Sequence, residues 1–394
     1  MPVQTSRRPQ SLDPGAPGRV PPIIPTQPGP GRGNGGAKKR SRRKDPLWAR
    51  LTLIFGAVLM MTSGLAIVGS KAVIGQATGN IAQRNLLGEA GKTDAEGGNS
   101  LDGPIDMLLL GVDARARWAA DDVRSDTIII LHIPASHDQA YLISIPRDTE
   151  AQIPGHGTEK INAAFQFGAR DGGGWEGGAQ LMAKTIKKMT GISFDGAAII
   201  NFGGFKTVID ALGTVRICVS HEVPSHHMMM VDGKPMWNAD AKKTGKPMSP
   251  VVHKKGCKEM EGWEALDYAR QRYGLPKGDY DRQQNQQQLI KAMAKKATQN
   301  GTLTNPIKLN QLIKAAGKAF ILDTGGVPID DFIFTMKGVT GNDLTTLRTN
   351  GGTFNSNAGR ESLNQLSMDM FQAVKDDKLA EFVVANPSVL STRK

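Results

Sequence analysis

The chain has 394 residues and a formal charge of +12, unevenly spread: residues 1–50 hold eleven Lys or Arg against Asp13 and Asp45, a net +9, leaving +3 for the remainder. A nucleic-acid-binding domain carries its own positive face, so the folded part is not expected to bind nucleic acid. Two cysteines, seven scattered histidines and no Walker-type or Gly-x-Ser-x-Gly sequence also give no support to zinc chemistry, a P-loop or a serine hydrolase.

Residues 1–47 are rich in Pro, Gly, Lys and Arg and cannot bury enough apolar surface to fold; beside a membrane such a tail enforces topology or touches anionic headgroups. The basic run Lys38-Lys39-Arg40-Ser41-Arg42-Arg43-Lys44 precedes an uncharged stretch from Leu51 to Gly69. At about 1.5 Å per helical residue this stretch nearly matches a hydrocarbon core of about 30 Å. A transmembrane helix is therefore expected over 48–70, with the basic flank cytoplasmic and the remainder outside: a single-pass type II protein of the cell membrane. A cleaved signal has an apolar region of about 7–15 residues and a small-x-small exit. This segment is longer and lacks an Ala-x-Ala, so an uncleaved anchor is the expectation; either way the bulk of the chain is exported. In an oxidising compartment Cys218 and Cys257 favour a disulfide over free thiols or a metal pair. It would staple a segment containing His226, His227, Met228, Met229 and Met230, which reads as a mobile exposed loop rather than a copper site.

Residues 71–100 read as a glycine-rich juxtamembrane spacer. Then come short continuous apolar runs, Met107–Leu110, Thr127–Leu131 and Tyr141–Ile145, the pattern of strands covered on both faces. Helical spacing at Leu181, Ile186 and Met189 ends at Gly191. A strand is expected at Ala197–Asn201, a helix at Phe205–Leu212 and a strand at Val215–Val219. The fold class is thus α/β, with a mixed central sheet layered between helices. Its core spans 101–300, and a helix-rich part (301–394) packs on it, with helices at Leu309–Ala319, Ile329–Val339 and Leu363–Val374. Gly172-x-Gly174-x-x-Gly177 fits the dinucleotide pattern literally, but no strand precedes it, and it reads as a flexible loop.

Charged groups gather at the strand ends: Gly111-Val112-Asp113-Ala114-Arg115, Arg124-Ser125-Asp126 and Arg147-Asp148. Strand ends of open α/β sheets are where ligands commonly bind. Asp113 and Asp126 could share a hard cation such as Mg²⁺, while Arg124 and Arg147 neutralise a phosphate with forked donors. Rim salt bridges are the bland alternative. A further cluster runs from Arg270 and Arg272 through Gly274, Pro276 and Gly278 to Asp279 and Arg282. Arg270 and Arg272 converge only if the helix ends there, which Gly274 and Pro276 favour. Asp279 would then cap a new helix that places Arg282 and Gln286 on one face. Three arginines and a glutamine around a tight loop read as a pyrophosphate site.

These pieces, in this order, resemble the LytR-CpsA-Psr family: Gly-Val-Asp113-x-Arg115, Arg124-Ser-Asp126-Thr, Ser144-Ile-Pro-Arg147-Asp148, Lys160-Ile-Asn162-Ala-Ala, and Ala269-Arg270-x-Arg272-Tyr followed by Gly278-Asp279-x-x-Arg282. The resemblance spans roughly residues 105–297, and the Gly-Leu-Pro loop is similar to the actinobacterial branch. It implies a glycopolymer–peptidoglycan phosphotransferase, with pyrophosphatase as a side activity. A glycosyl-phosphate polymer (teichoic acid, arabinogalactan or capsule) would move from a polyprenyl-pyrophosphate carrier to a muramic acid hydroxyl. By similarity Asp113 and Asp126 would hold Mg²⁺, or Mn²⁺ in its place. Arg115, Arg124, Arg147, Arg270, Arg272, Arg282 and Gln286 would grip the pyrophosphate, with Asp279 as a candidate general base. Asn285 stands where many family members carry Arg. Two rival readings are an envelope protein that binds lipid pyrophosphate or anionic polymer without turnover, and a membrane-tethered regulator.

Overall fold

The computed structural model describes residues 81–93, 96, 101–112, 123–299, 305–336 and 339–391. The tail at 1–47, the apolar segment at 48–70, Asp113 and Arg115 lie outside these residues, as does part of the 71–100 spacer. Among the described residues no helix is long and apolar enough to cross a membrane.

In chain order the strands are β1 (Ala82–Gln83), β2 (Ile105–Val112), β3 (Ser125–Ile133), β4 (Ala140–Ile145), β5 (Glu150–Ile153), β6 (Gly157–Lys160), β7 (Gly196–Asn201), β8 (Val215–Val219), β9 (Val223–Val231), β10 (Lys234–Trp237), β11 (Met248–His253), β12 (Gly256–Met260), β13 (Phe320–Asp323) and β14 (Leu344–Arg348). The principal helices are α1 (Ala163–Ala169), α2 (Gly174–Thr190), α3 (Phe202–Leu212), α4 (Gly262–Arg270), α5 (Asp279–Gln299), α6 (Pro306–Ala319), α7 (Ile329–Met336), α8 (Gln365–Lys375) and α9 (Leu379–Ala385).

Among the described residues the central sheet has seven strands in the order β1-β13-β7-β2-β3-β4-β14. Pairing is mixed: β2 is antiparallel to β3 and β3 to β4, while β7 runs parallel to β2 and β14 parallel to β4. The runs that carry no hydropathic alternation are buried on both faces, as expected. Leu108, Leu110, Ile128, Ile130, Ile143 and Ile145 join one cluster with Phe165, Met182, Ile186 and Phe371 from α1, α2 and α8. Their neighbours Met107, Ile129, Ile133 and Leu142 join another with Ile290 and Ala294 of α5 and Phe332 of α7. This register puts the carboxyl ends of β2, β4, β7 and β14 at the same edge as the start of β3: Val112 pairs with Ser125, Ile145 with Ile128 and Asn201 with Val112.

Three expectations are corrected. The glycine pattern at 172–177 is no flexible loop. Gly174 opens α2, and Gly177 lets α2 approach α1: a Cβ there would sit 2.4 Å from the Gly168 carbonyl oxygen. The segment 226–230 is strand rather than mobile loop, lying in β9 between β10 and β11. It is held because the disulfide Cys218–Cys257 joins directly opposed residues of the β8–β12 ladder, closing the base of the insertion that carries the three strands. Finally, the segment after 301 is not only helical, since it gives the central sheet β13 and β14.

Candidate functional site

The shared sheet edge gathers charge where β3 begins and where the chain leaves β4. Asp126 is the second residue of β3, and Arg147 follows β4 by two residues. Arg147 Nη1 donates to Asp126 Oδ1 at 2.9 Å, and its Nε lies 3.9 Å from both Asp148 and Asp279. Lys160, at the end of β6, reaches Asp148 at 3.1 Å. Three carboxylates therefore surround one guanidinium.

The first turns of α5 complete the cluster. Arg282 Nη2 pairs with Asp279 Oδ1 at 2.6 Å and donates to the backbone oxygen of Asp126 at 3.1 Å. Asp279, expected as a helix cap, is the first residue of α5; the carboxylate that closes the preceding loop belongs to Asp281, which accepts from Lys277 N at 2.7 Å. Gln283 Nε2 also donates to Asp279, at 3.2 Å. Asn285 is buried and donates toward the Tyr268 carbonyl at 3.4 Å, so it braces α5 against α4. Gln286, one turn beyond Arg282, is buried as well. Farther along, Gln287 Nε2 bonds Leu142 O, Ser144 Oγ and Leu347 O at 3.1, 2.9 and 2.7 Å, locking α5 to β4 and β14.

Electrostatics at the cluster are strained. Burial works against the charge of Arg147, but Asp126, Asp279 and Asp148 outweigh it and raise its pKa above the ordinary value. Arg282 is the reverse. Burial pushes its pKa down, Asp279 and Asp126 offset this only in part, and the cations of Arg147 and Arg272 add to the depression. Both Nε–H groups, of Arg147 and of Arg282, are buried with no hydrogen bond among the described residues. Buried donors normally find partners, and forked guanidinium donors suit phosphate oxygens.

Arg270 and Arg272 stand as the helix-end argument expects. α4 stops at Arg270, and Gln271 is extended at φ −63°, ψ 132°. Arg272 lies over the Tyr273 ring at 4.5 Å, and Arg270 over Trp237 at 5.4 Å. Between them Gln271 is fully buried in a polar network. Its Nε2 donates to Asp267 Oδ1 at 3.0 Å, Ser225 Oγ donates to the same oxygen at 2.9 Å, and His253 Nε2 meets Asp267 Oδ2 at 2.7 Å. Arg124 is exposed and donates from Nε to Gln166 Oε1 at 2.9 Å.

The structure thus brings together Asp126, Arg147, Asp279 and Arg282, with Arg272 in electrostatic reach, while Arg124 and Arg270 have other partners. Asp148 and Lys160 belong to the cluster too. Both sit in the motifs quoted above, but nothing in their spacing distinguishes a site residue from a rim salt bridge. Sequence also gave no signal for Glu361, which accepts from the buried Tyr280 hydroxyl and from Asn350 Nδ2 at 3.1 Å. Its backbone N donates to Asp148 O at 2.9 Å. Burial raises the Glu361 pKa.

Among the described residues no group of three His, Cys, Asp or Glu side chains forms a metal cage. The donors present, Asp126 with Asp279 and Asp148 nearby, are hard carboxylate oxygens of the kind a Mg²⁺ ion sharing its shell with phosphate requires.

The profile of the LytR_cpsA_psr family matches residues 73–377. The cell wall biosynthesis protein LcpA of Corynebacterium glutamicum is 27% identical over 338 residues, covering 76% of this chain and 59% of LcpA. The polyisoprenyl-teichoic acid–peptidoglycan teichoic acid transferase TagU of Oceanobacillus iheyensis is 30% identical over 247 residues, covering 63% of this chain and 67% of TagU. The chain matches 59% of LcpA and 48% of the probable cell wall biosynthesis protein LcpB of the same organism, so it spans about half the length of these relatives. In fold it is similar to B. subtilis TagV, with TM-score 0.53, 20% identity and coverage of 71% of this chain and 99% of TagV. A Streptococcus agalactiae protein gives TM-score 0.55 at 20% identity, covering 73% of this chain and 91% of that one.

Proposed function

The chain belongs to the LytR-CpsA-Psr family, and from that premise we propose that it transfers a glycosyl-phosphate polymer from a polyprenyl-pyrophosphate carrier to a muramic acid hydroxyl of peptidoglycan. The observation that carries the reading is the half-buried Arg147 beside the buried Arg282, each with an Nε–H that makes no hydrogen bond among the described residues, set among Asp126, Asp148 and Asp279. A guanidinium pair so held is ready for an anion with several oxygens, and pyrophosphate is such an anion. Relatives named as teichoic acid transferases and cell wall biosynthesis proteins support the substrate class.

In the proposed reaction the acceptor oxygen attacks the glycan-side phosphorus. A new P–O bond forms, the bridging P–O–P bond breaks, and polyprenyl monophosphate departs with the bridging oxygen. The hydroxyl proton passes to a base. Arg147 and Arg282 would clamp the non-bridging oxygens and offset the charge that spreads over them in a loose transition state. Arg272, within electrostatic reach of Arg282, would widen the clamp. Asp279 is held by Arg282 and Gln283, an arrangement that suits orienting the clamp better than accepting a proton. Asp126, with Asp113, the residue that follows Val112 in sequence, would hold Mg²⁺, which supplies Lewis-acid neutralisation of the phosphates when bound. The cross-linked Cys218–Cys257 pair supports an oxidising, extracytoplasmic location behind the segment 48–70.

The test follows polyprenyl monophosphate release from a lipid-linked glycan by the full chain in detergent with Mg²⁺. Asp126→Ala should abolish release while retaining the fold by circular dichroism. Full activity in that variant and in Asp113→Ala would refute the metal assignment, and lipid binding without release in the wild type would favour a binding protein.

A further inference from the structure

We propose that Trp237 and Tyr273 form a saccharide-stacking platform beside the arginine cluster, taking a sugar ring next to the phosphate; this deepens the phosphotransfer reading and rests on it. Both rings are large, apolar and open to solvent, Trp237 at 43% and Tyr273 at 57% exposure. Exposed aromatic surface is costly to leave wet, and where it persists next to a site it commonly marks a binding surface.

The chemistry around the rings favours a sugar. Their close partners are cations and an imidazole: Arg270 over Trp237 at 5.4 Å, Arg272 over Tyr273 at 4.5 Å, and His226 against Tyr273 at 5.2 Å. A hydrocarbon chain laid on these rings would strip water from the guanidiniums and give nothing in return. A pyranose offers both surfaces at once, a C–H face for the ring and a rim of hydroxyls for the guanidinium donors. The place fits as well. The loop that carries Arg272 and Tyr273 runs from α4 into the first turn of α5, which holds Arg282, and Asn285 of α5 donates to Tyr268 O of α4 at 3.4 Å, so the platform sits on the element that leads into the guanidinium pair.

The platform is also held rigidly, which limits the entropy lost on binding. Trp237 ends β10, within the insertion closed by the Cys218–Cys257 disulfide. That insertion is tied to the arginine loop through the buried contacts of Ser225 and His253 with Asp267 and of Gln271 with both Ser225 and Asp267. His226 N donates to Gln271 Oε1 at 3.2 Å, joining β9 to the residue between the two arginines.

The experiment measures the affinity of the full chain, in detergent, for three probes: a bare prenyl pyrophosphate, a prenyl-pyrophosphate disaccharide, and a soluble N-acetylglucosamine–N-acetylmuramic acid oligosaccharide. Trp237→Ala should weaken a sugar-bearing probe by about tenfold and leave the bare lipid unchanged, with Trp237→Phe retaining most of the affinity. Loss confined to the lipid-linked disaccharide assigns the platform to the donor, and loss confined to the oligosaccharide assigns it to the acceptor. Equal loss on the bare lipid would mean that Trp237 acts only through Arg270 and would overturn the proposal, as would unchanged affinity for all three. If the wild type bound neither prenyl pyrophosphate, the phosphotransfer reading would fall, while Trp237-dependent oligosaccharide binding would still uphold the platform.

Discussion

Replacing Arg282 by Met should destabilise the fold, and restoring charge balance at Asp279 should recover it. The Arg282 side chain is 8% exposed and that of Asp279 13%, so their 2.6 Å pair is shielded from solvent. Removing one partner of a buried pair typically costs about 3–5 kcal/mol, because the other charge is stranded. Arg147 stays 3.9 Å from Asp279 and would partly compensate, which sets the expected loss near ~3 kcal/mol. At an unfolding entropy of about 2.1 cal/mol/K per residue, that is a fall in Tm of roughly 5 °C for a folded part of this size. The double variant Asp279→Leu with Arg282→Met removes both charges and should regain most of the loss, since apolar replacement of a buried pair is often neutral. Urea and thermal unfolding followed by circular dichroism would measure both variants, and lipid turnover should be lost in each. A double variant as unstable as the single one, or a single variant with unchanged Tm, would refute the claim that this pair is the buried electrostatic centre of the site.

Opening the disulfide by Cys218→Ser should cost about 4 kcal/mol in the chain-entropy model for a bridge spanning 39 residues. Limited proteolysis should then cut first within 219–256; unchanged protection would argue that the polar network alone holds the insertion. Stability should depend on pH through Glu361, whose pKa burial raises above its ordinary 4.5. Such a group contributes stability that is complete below 4.5 and is lost as pH rises through the raised folded value. Glu361→Gln should flatten that decline in urea titrations taken at a series of pH values, and an unchanged pH profile would contradict it.

Much of the sheet was legible because β2, β3 and β4 are buried on both faces and so appear as unbroken apolar runs. Helix ends were legible where glycine fixes them: Gly191 adopts φ +74°, and its N–H bonds Lys187 O. The end of α4 at Arg270 was legible from Gly274 and Pro276 just beyond it, but the two arginines then part, Arg270 lying over Trp237 and Arg272 over Tyr273. β14 was not, because Leu344-Thr-Thr-Leu-Arg348 is short and half polar, and its strand character comes from pairing with β4. The insertion was misread because β9 breaks its alternation where Ser225 Oγ accepts from the backbone of His227 and Met228. In the site, Asp126, Arg147, Asp279 and Arg282 came from motif order. The Tyr280–Glu361 contact and the Ser225–Asp267–His253 network join residues 14 to 81 positions apart, across β9, β11 and α4 or between α5 and the C-terminal part, and no local pattern encodes them.

The most direct test is a product balance. The full chain in lipid nanodiscs is given a polyprenyl-pyrophosphate glycan, a peptidoglycan acceptor and Mg²⁺, and the products are resolved by mass spectrometry. One polyprenyl monophosphate for each new phosphodiester on muramic acid, both lost in Asp126→Ala, is the predicted result. Lipid that binds and is recovered intact, with no phosphodiester formed, would contradict it.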